Sequence, residues 1–259
     1  MGPSGRKILK SKLQSIIKKN NIDFVIVNGE NAADDGKGIT ESICNDFFNI
    51  GVDVITSGNH IWDKSEIVNF ISQEKRLLRP INLAEGTPGN GYGTYLTKSK
   101  KFKVVVMNFM GNVFMRKTED VFLAATKLQS KIKLKESSDF IVVDFHGEIT
   151  SEKTAMGHFF DGKATVVVGT HTHIPTADTR ILNGGTAFQT DIGMCGDYNS
   201  VIGMNKDNSI KKFLKNKEAI NHFPALGEAS ISGIIVETNE STGLAKKVER
   251  IIEGGVLKK

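Results

Sequence analysis

Five short stretches are apolar almost without interruption: residues 24–27 (FVIV), 52–56 (VDVIT), 102–109 (FKVVVMNF), 139–145 (DFIVVDF) and 164–168 (ATVVV). A strand with one wet face alternates apolar and polar residues. Runs this uniform suit strands buried on both faces, with helical segments alternating between them. Suitable helices are legible in those segments. Ser4 is placed to cap a helix whose Ile8, Leu9, Leu13, Ile16 and Ile17 share one face, Thr40 to cap a second carrying Ile43, Phe47, Phe48 and Ile50, and a third is expected over 118–133. Towards the end, strands over 186–190, 229–237 and 246–252 and one helix over 208–217 are separated by Asn, Gly and Ser, which predicts a mixed sheet, antiparallel in part. No repeat or long linker divides the chain. The expected fold is therefore α/β, in one domain spanning residues 1–259.

Composition narrows the function classes. With 39% hydrophobic and 24% charged residues the chain can bury a full core, which excludes disordered and fibrous classes. No apolar run reaches the roughly 18 residues of a membrane span, and the N-terminus lacks the apolar block of a signal peptide, so a cytoplasmic location without membrane attachment is expected. Cys44 and Cys195 form no CxxC pair and read as free thiols in a reducing compartment. The net charge of +5 is scattered, which suits an anionic small molecule and gives no reason to expect a stable nucleic-acid complex.

The residues that follow four of the strands are the informative ones, because ligands of open α/β sheets bind outside the carboxyl ends of the strands. One run continues into Asn28-Gly29-Glu30-Asn31 and another into Ser57-Gly58-Asn59-His60. A third ends at His146-Gly147, and the fourth passes through Gly169-Thr170 into His171-Thr172-His173. In extended chain, residues i and i+2 point the same way, so His171 and His173 can address one cavity together, one imidazole per metal or both on one. Any one of these side chains could merely cap a turn; imidazole, carboxylate and carboxamide together at four strand ends point to a divalent metal such as manganese, iron or zinc. A pair of such ions would clamp both oxygens of a phosphoester during in-line displacement. His158 and His222 read as structural or surface residues, and Asp34, Asp35 and Asp63 as capping or turn residues.

The motifs GEN (29–31), GNHIWD (58–63), DFH (144–146) and GTHTH (169–173), with Arg79-Pro80-Ile81-Asn82 and Asp191-Ile192-Gly193-Met194, resemble the YmdB-like branch of the calcineurin-type metallophosphoesterases over nearly the whole chain. The resemblance implies a four-layer α/β/β/α sandwich and two metal ions, iron or manganese with zinc as a third option. It also implies hydrolysis of phosphodiesters such as 2′,3′-cyclic nucleotides. By the same resemblance Glu30 bridges the two ions, Asn59, His146 and His171 hold one, His173 holds the other with Asn31 beside it, and His60 is the general acid. Homo-oligomerisation is expected by family analogy alone. One departure is visible: family members open with an apolar strand ending in Gly-Asp, whose aspartate is a metal ligand, whereas Met1 to Arg6 here resembles the stretch just after it. The expectation is a chain that lacks this first strand and ligand.

Two other functions compete. A regulatory protein that binds a nucleotide or a partner at a one-metal site, without turnover, fits the missing aspartate. A metal-dependent amidohydrolase would share the HxH motif, but on its first barrel strand rather than at 171–173.

Overall fold

The computed structural model describes residues 1–257. Its organisation follows from the two-residue period of the strands. In β4 (Lys103–Met110), Val105, Met107 and Phe109 face one core, while Val104 and Val106 face another. Both faces are buried, as the uniform run requires. Strands β3 (Tyr92–Leu96), β4, β5 (Phe140–His146), β6 (Val166–Thr170), β8 (Ala187–Gln189) and β7 (Arg180–Ile181) lie side by side in that order, with β4, β5, β6 and β8 parallel and β3 and β7 antiparallel at the edges. Their outer face packs on α4 (Val121–Gln129) and α5 (Thr150–Phe159) through Val121, Ala125, Leu128 and Met156.

The inner face meets a second β layer. It is built from the parallel pair β1 (Ile26–Asn28) and β2 (Val54–Thr56) and from the ladder of β9 (Gly196–Asp197), β10 (Ala229–Thr238) and β11 (Ala245–Glu253). Val54 and Ile26 pack on Val104, Val106 and Phe140 at one end of the interface. Ile234, Val236 and Val248 pack on Val166 and Val168 at the other. Beyond this layer, α1 (Gly2–Asn20), α2 (Glu41–Asn49) and α3 (Ile67–Gln73) bury Leu9, Leu13, Ile43, Phe47, Ile67 and Ile71 against Ile55, Ile231 and Ile251. The result is α/β/β/α, as expected. β1 has β2 as its sole strand neighbour among the described residues, and β9 covers β10 only at Ala229 and Ser230.

Several boundaries differ from expectation for local reasons. Ser4 is not a cap: α1 begins at Gly2 with Pro3 in its first turn, whose fixed φ favours helix initiation, and the buried Ser4 hydroxyl donates to Ala225 O at 3.1 Å. Thr40 caps α2 as expected, accepting from Ile43 N at 3.3 Å. α4 starts after Asp120, whose carboxylate accepts from Leu123 N, while Thr118 instead accepts a hydrogen bond from Asn82. The last helix, α6 (Lys206–Phe213), opens earlier than expected because Asn205 accepts from Asn208 N. The short α3 and the half-exposed edge strand β3 carry too little apolar periodicity to be read in advance.

Candidate metal centre

Because β1 is parallel to β2, and β5 to β6, their carboxyl ends emerge together and deliver four chain segments to one place. At its middle is His146, the last residue of β5 and 1% exposed. Its Nε2 lies 3.0 Å from Glu30 Oε2, 3.0 Å from Asn59 Oδ1 and 3.0 Å from His171 Nδ1. The other ring nitrogen, Nδ1, is 3.0 Å from the Thr170 hydroxyl, which itself donates to Asp144 Oδ1 at 2.8 Å. With its own proton committed to Asp144, Thr170 accepts from His146 Nδ1–H, and the Nε2 lone pair is turned into the cluster. Four electron-pair donors therefore converge on a volume where one proton at most can serve them. A cation satisfies all four, so the donor set fits a bound metal ion. Glu30, His146 and His171 alone bring ligand atoms within 4.8 Å of one another.

The floor of the site is a buried polar network. Asp144 Oδ2 accepts from Thr56 Oγ1 at 2.5 Å and from Asn28 Nδ2 at 2.9 Å, and Asn28 Oδ1 accepts from Glu30 N at 3.1 Å. Burial raises the Asp144 carboxyl pKa against these hydrogen bonds. Burial also disfavours ionised Glu30, but the contacts to His146 and His60 outweigh it and hold the group down to about 2. Burial acts against charge on His146 too, yet Glu30 raises its pKa. His171 moves the other way, lowered to about 4 by burial and then by its neighbour His146, so its imidazole stays neutral and able to bind a metal.

A second donor pair sits beside the first. His173 Nε2 faces Asn31 Oδ1 at 3.2 Å. His173 Nδ1 donates to Ile202 O at 2.7 Å, and Asn31 Nδ2 donates to Gly36 O at 2.9 Å. Both donor groups are thus committed outward, leaving two lone pairs facing each other. The charge of Glu30 is felt at both His171 and His173. His171 and His173 do not share one extended face as the HxH spacing suggests: both have positive φ, 101° and 68°, so the chain coils and sends them to different donor groups.

His60 is adjacent but differently engaged. Its backbone N–H donates to Glu30 Oε1 at 3.0 Å, while its ring Nδ1 is 2.7 Å from Asp63 Oδ2. Asp63, expected to serve only as a turn residue, orients this ring, with Arg116 3.8 Å from its other oxygen. The interval of three from His60 is the signal that could have pointed to it. Glu148, not anticipated, lies 3.1 Å from His171 Nε2. Asp34 and Asp35 pair with Arg6 and Lys64 at the surface. No helix of the described residues is long and apolar enough to cross a membrane.

Comparison with known proteins agrees with this architecture. The sequence model of the family described as YmdB-like protein matches residues 1–251. The 2′,3′-cyclic-nucleotide 2′-phosphodiesterase of Bacillus subtilis (strain 168) is 42% identical over 252 residues, which cover 97% of this chain and 93% of the relative. A putative phosphatase/phosphodiesterase of Mycoplasma pneumoniae is 36% identical over 259 residues, 97% of this chain and 90% of its own. Among solved structures, a hypothetical protein from Thermus thermophilus superimposes with a TM-score of 0.89 at 33% identity, covering 99% of this chain and 96% of its own. A Mycoplasma pneumoniae phosphatase gives 0.88 at 35%, covering 98% and 90%.

An α/β/β/α sandwich whose strand ends gather such donors is the architecture of a metallophosphoesterase, a hydrolase. Within that class, the chain belongs to the YmdB-like family.

Proposed function

We propose that this protein is a metal-dependent phosphodiesterase acting on small nucleotides, with 2′,3′-cyclic nucleotides, the substrate named for the Bacillus relative, as the first to test. The observation that carries the reading is the convergence of Glu30, Asn59 and His171 on the Nε2 lone pair of His146. In this reading Asn59, His146 and His171 would hold one ion, His173 and Asn31 would contribute to a second, and Glu30 would serve both. Iron or manganese suits the mixed oxygen and nitrogen donors. When bound, the ions supply Lewis acidity at the phosphoryl oxygens and lower the pKa of attacking water. One metallophosphoesterase domain then occupies residues 1–259. Two free thiols, Cys44 and Cys195, suit work in the reducing cytosol.

The chain's own residues do the rest. His60 protonates the leaving alkoxide, and Asp63 fixes the ring by accepting from Nδ1–H, so that Nε2 is the atom that carries the transferable proton. Asp144 and Thr170 keep His146 in the tautomer that presents its lone pair. Asn28 holds the Glu30 backbone so that its carboxylate reaches both His146 and the His60 N–H.

A second reading has one observation in its favour. The His146 cluster holds four donors and the His173 pair two. A protein that binds one ion and a nucleotide without turnover fits that inequality. Elemental analysis after equilibration with Mn²⁺, together with hydrolysis of 2′,3′-cyclic AMP, separates the two. About two ions per chain and turnover that His60→Ala lowers by about 10²–10⁴-fold support the hydrolase. One ion and nucleotide binding without turnover support the regulator, and no metal uptake at all refutes both.

A further inference from the structure

Lys153 and Asp191 are each about 1% exposed, and Lys153 Nζ donates to Asp191 Oδ2 at 2.7 Å. An ion pair this deep needs a reason, because desolvating two charges opposes folding. Neither residue belongs to the donor clusters, yet both touch the residue between the two histidines. Asp191 Oδ2 also accepts from Thr172 N at 3.1 Å and from Thr172 Oγ1 at 2.7 Å, and Lys153 Nζ is 3.4 Å from that hydroxyl. Asp191 Oδ1 accepts from Gly193 N at 2.8 Å, which anchors the carboxylate from the other side. Gly169 makes room for the arrangement: a Cβ there would lie 1.8 Å from Thr190 O and 2.9 Å from Lys153 Cδ.

The clamped residue sits where the backbone is least willing. His171 and His173 both hold φ values that L-residues rarely adopt, a conformation that persists only when its surroundings over-determine it. We propose that the buried Lys153–Asp191 pair is the positioning device of the metal centre: it grips Thr172 by backbone and side chain, and so coils the segment that sends His171 to one donor group and His173 to the other. This rests on the reading that those histidines hold metal. Asp191 Oδ2 accepts three hydrogen bonds, one from Lys153 Nζ and two from Thr172, so Lys153 fixes the carboxylate and Asp191 transmits the constraint.

The test is Mn²⁺ affinity and stoichiometry by calorimetry, with thermal melting of the chelated protein alongside. Thr172→Val keeps the side chain's shape and the ion pair but loses the Oγ1 bond. It is expected to weaken Mn²⁺ binding about tenfold, the lower end for a group that orients a ligand, with the melting temperature lowered by only a few degrees because the ion pair and the Thr172 N bond remain. Lys153→Met combined with Asp191→Leu removes the clamp and both buried charges together; it is expected to fold, because apolar replacement of a buried pair is often tolerated, and to lose about 10–100-fold in affinity. Wild-type Mn²⁺ binding in Thr172→Val, or in a folded double variant, overturns the proposal. Wild-type protein that takes up no Mn²⁺ refutes the metal reading beneath it, a result distinguishable from variants that bind as wild type does.

Discussion

Gly58 offers the sharpest perturbation of the centre, because it supplies no ligand atom and yet has no space for a side chain. A methyl group there would lie 2.2 Å from His146 Nε2, 2.3 Å from Cδ2 and 2.5 Å from Cε1. The imidazole must retreat by about an ångström to reach ordinary contact distance, since a packed interior has no void to absorb the clash. It cannot retreat and keep its 3.0 Å contacts to Glu30, Asn59, His171 and Thr170. Gly58→Ala is therefore expected to cost about 1–3 kcal/mol as overpacking. Mn²⁺ affinity should fall at least about 10–100-fold, the range for disturbing a group that orients a ligand. Gly157→Ala is the matched control: its Cβ would lie 2.5 Å from two atoms of the Phe188 ring, in the helix-side core, and helix propensity returns about 1 kcal/mol. Calorimetric Mn²⁺ titration and thermal melts of both variants separate the effects, with a melting shift of roughly 2–4 °C per kcal/mol. Both variants should melt lower, and only Gly58→Ala should lose metal. A Gly58→Ala protein that binds Mn²⁺ like wild type, or a control that loses it equally, would refute the placement of His146 at the centre.

Other outcomes follow from the same geometry. His60→Ala should lower kcat by about 10²–10⁴-fold while leaving Mn²⁺ stoichiometry intact, and a loss of bound metal instead would recast His60 as a ligand. Asp63→Asn should cost less than His60→Ala, because the ring loses its orienting carboxylate but keeps a hydrogen-bond partner; equal losses would mean that Asp63 does more than orient. Stripping metal with a chelator should lower thermal stability, and free Mn²⁺ at 100 times Kd should restore about 2.7 kcal/mol; a melting temperature indifferent to Mn²⁺ would argue against a native-state site. The chelated protein should also lose stability in mild acid. His171 titrates at about 4 when folded, against 6.5 for the free side chain, so the unfolded chain binds more protons between those values and stability falls as pH drops from 6.5 towards 4. His173 is shifted in the same sense, and Glu30, held at about 2 against an ordinary 4.5, extends the loss below pH 4.5. Urea titrations at pH 7, 5.5 and 4.5 check this, and a flat profile, or one that His171→Asn does not flatten in part, would contradict it.

What could be read in advance divides along physical lines. Val104–Phe109 and Ile141–Phe145 announce buried strands because both faces are apolar, and the polar residues that break such runs mark the site. Glu30, Asn31, Asn59, His146, His171 and His173 were all legible at strand ends, and the structure gathers them as two adjoining groups. Their supports were not. Asp63 lies three residues from His60, a local interval that a capping reading also explains, whereas Glu148, Lys153 and Asp191 act through contacts that span 19 to 38 residues, where no local pattern distinguishes them from surface charges. The coil at His171 and His173 was misread because extended spacing assumes a strand, whereas β6 ends at Thr170. The cap assigned to Ser4 failed because Pro3 starts the helix one turn earlier.

The long reach between donors has a consequence for how the centre comes into being. His146 and Asn59 are 87 residues apart, and His173 and Asn31 are 142 apart. Contacts of that span form late, after the entropy of closing the intervening loops has been met. A chain emerging N-terminus first can shape β1 and β2 early, but it has no centre until β6 and the segment around Asp191 have docked. Metal uptake in this fold would thus mark late synthesis: fragments ending before residue 170 should stay metal-free, and an ion would enter a cluster already assembled rather than seed one.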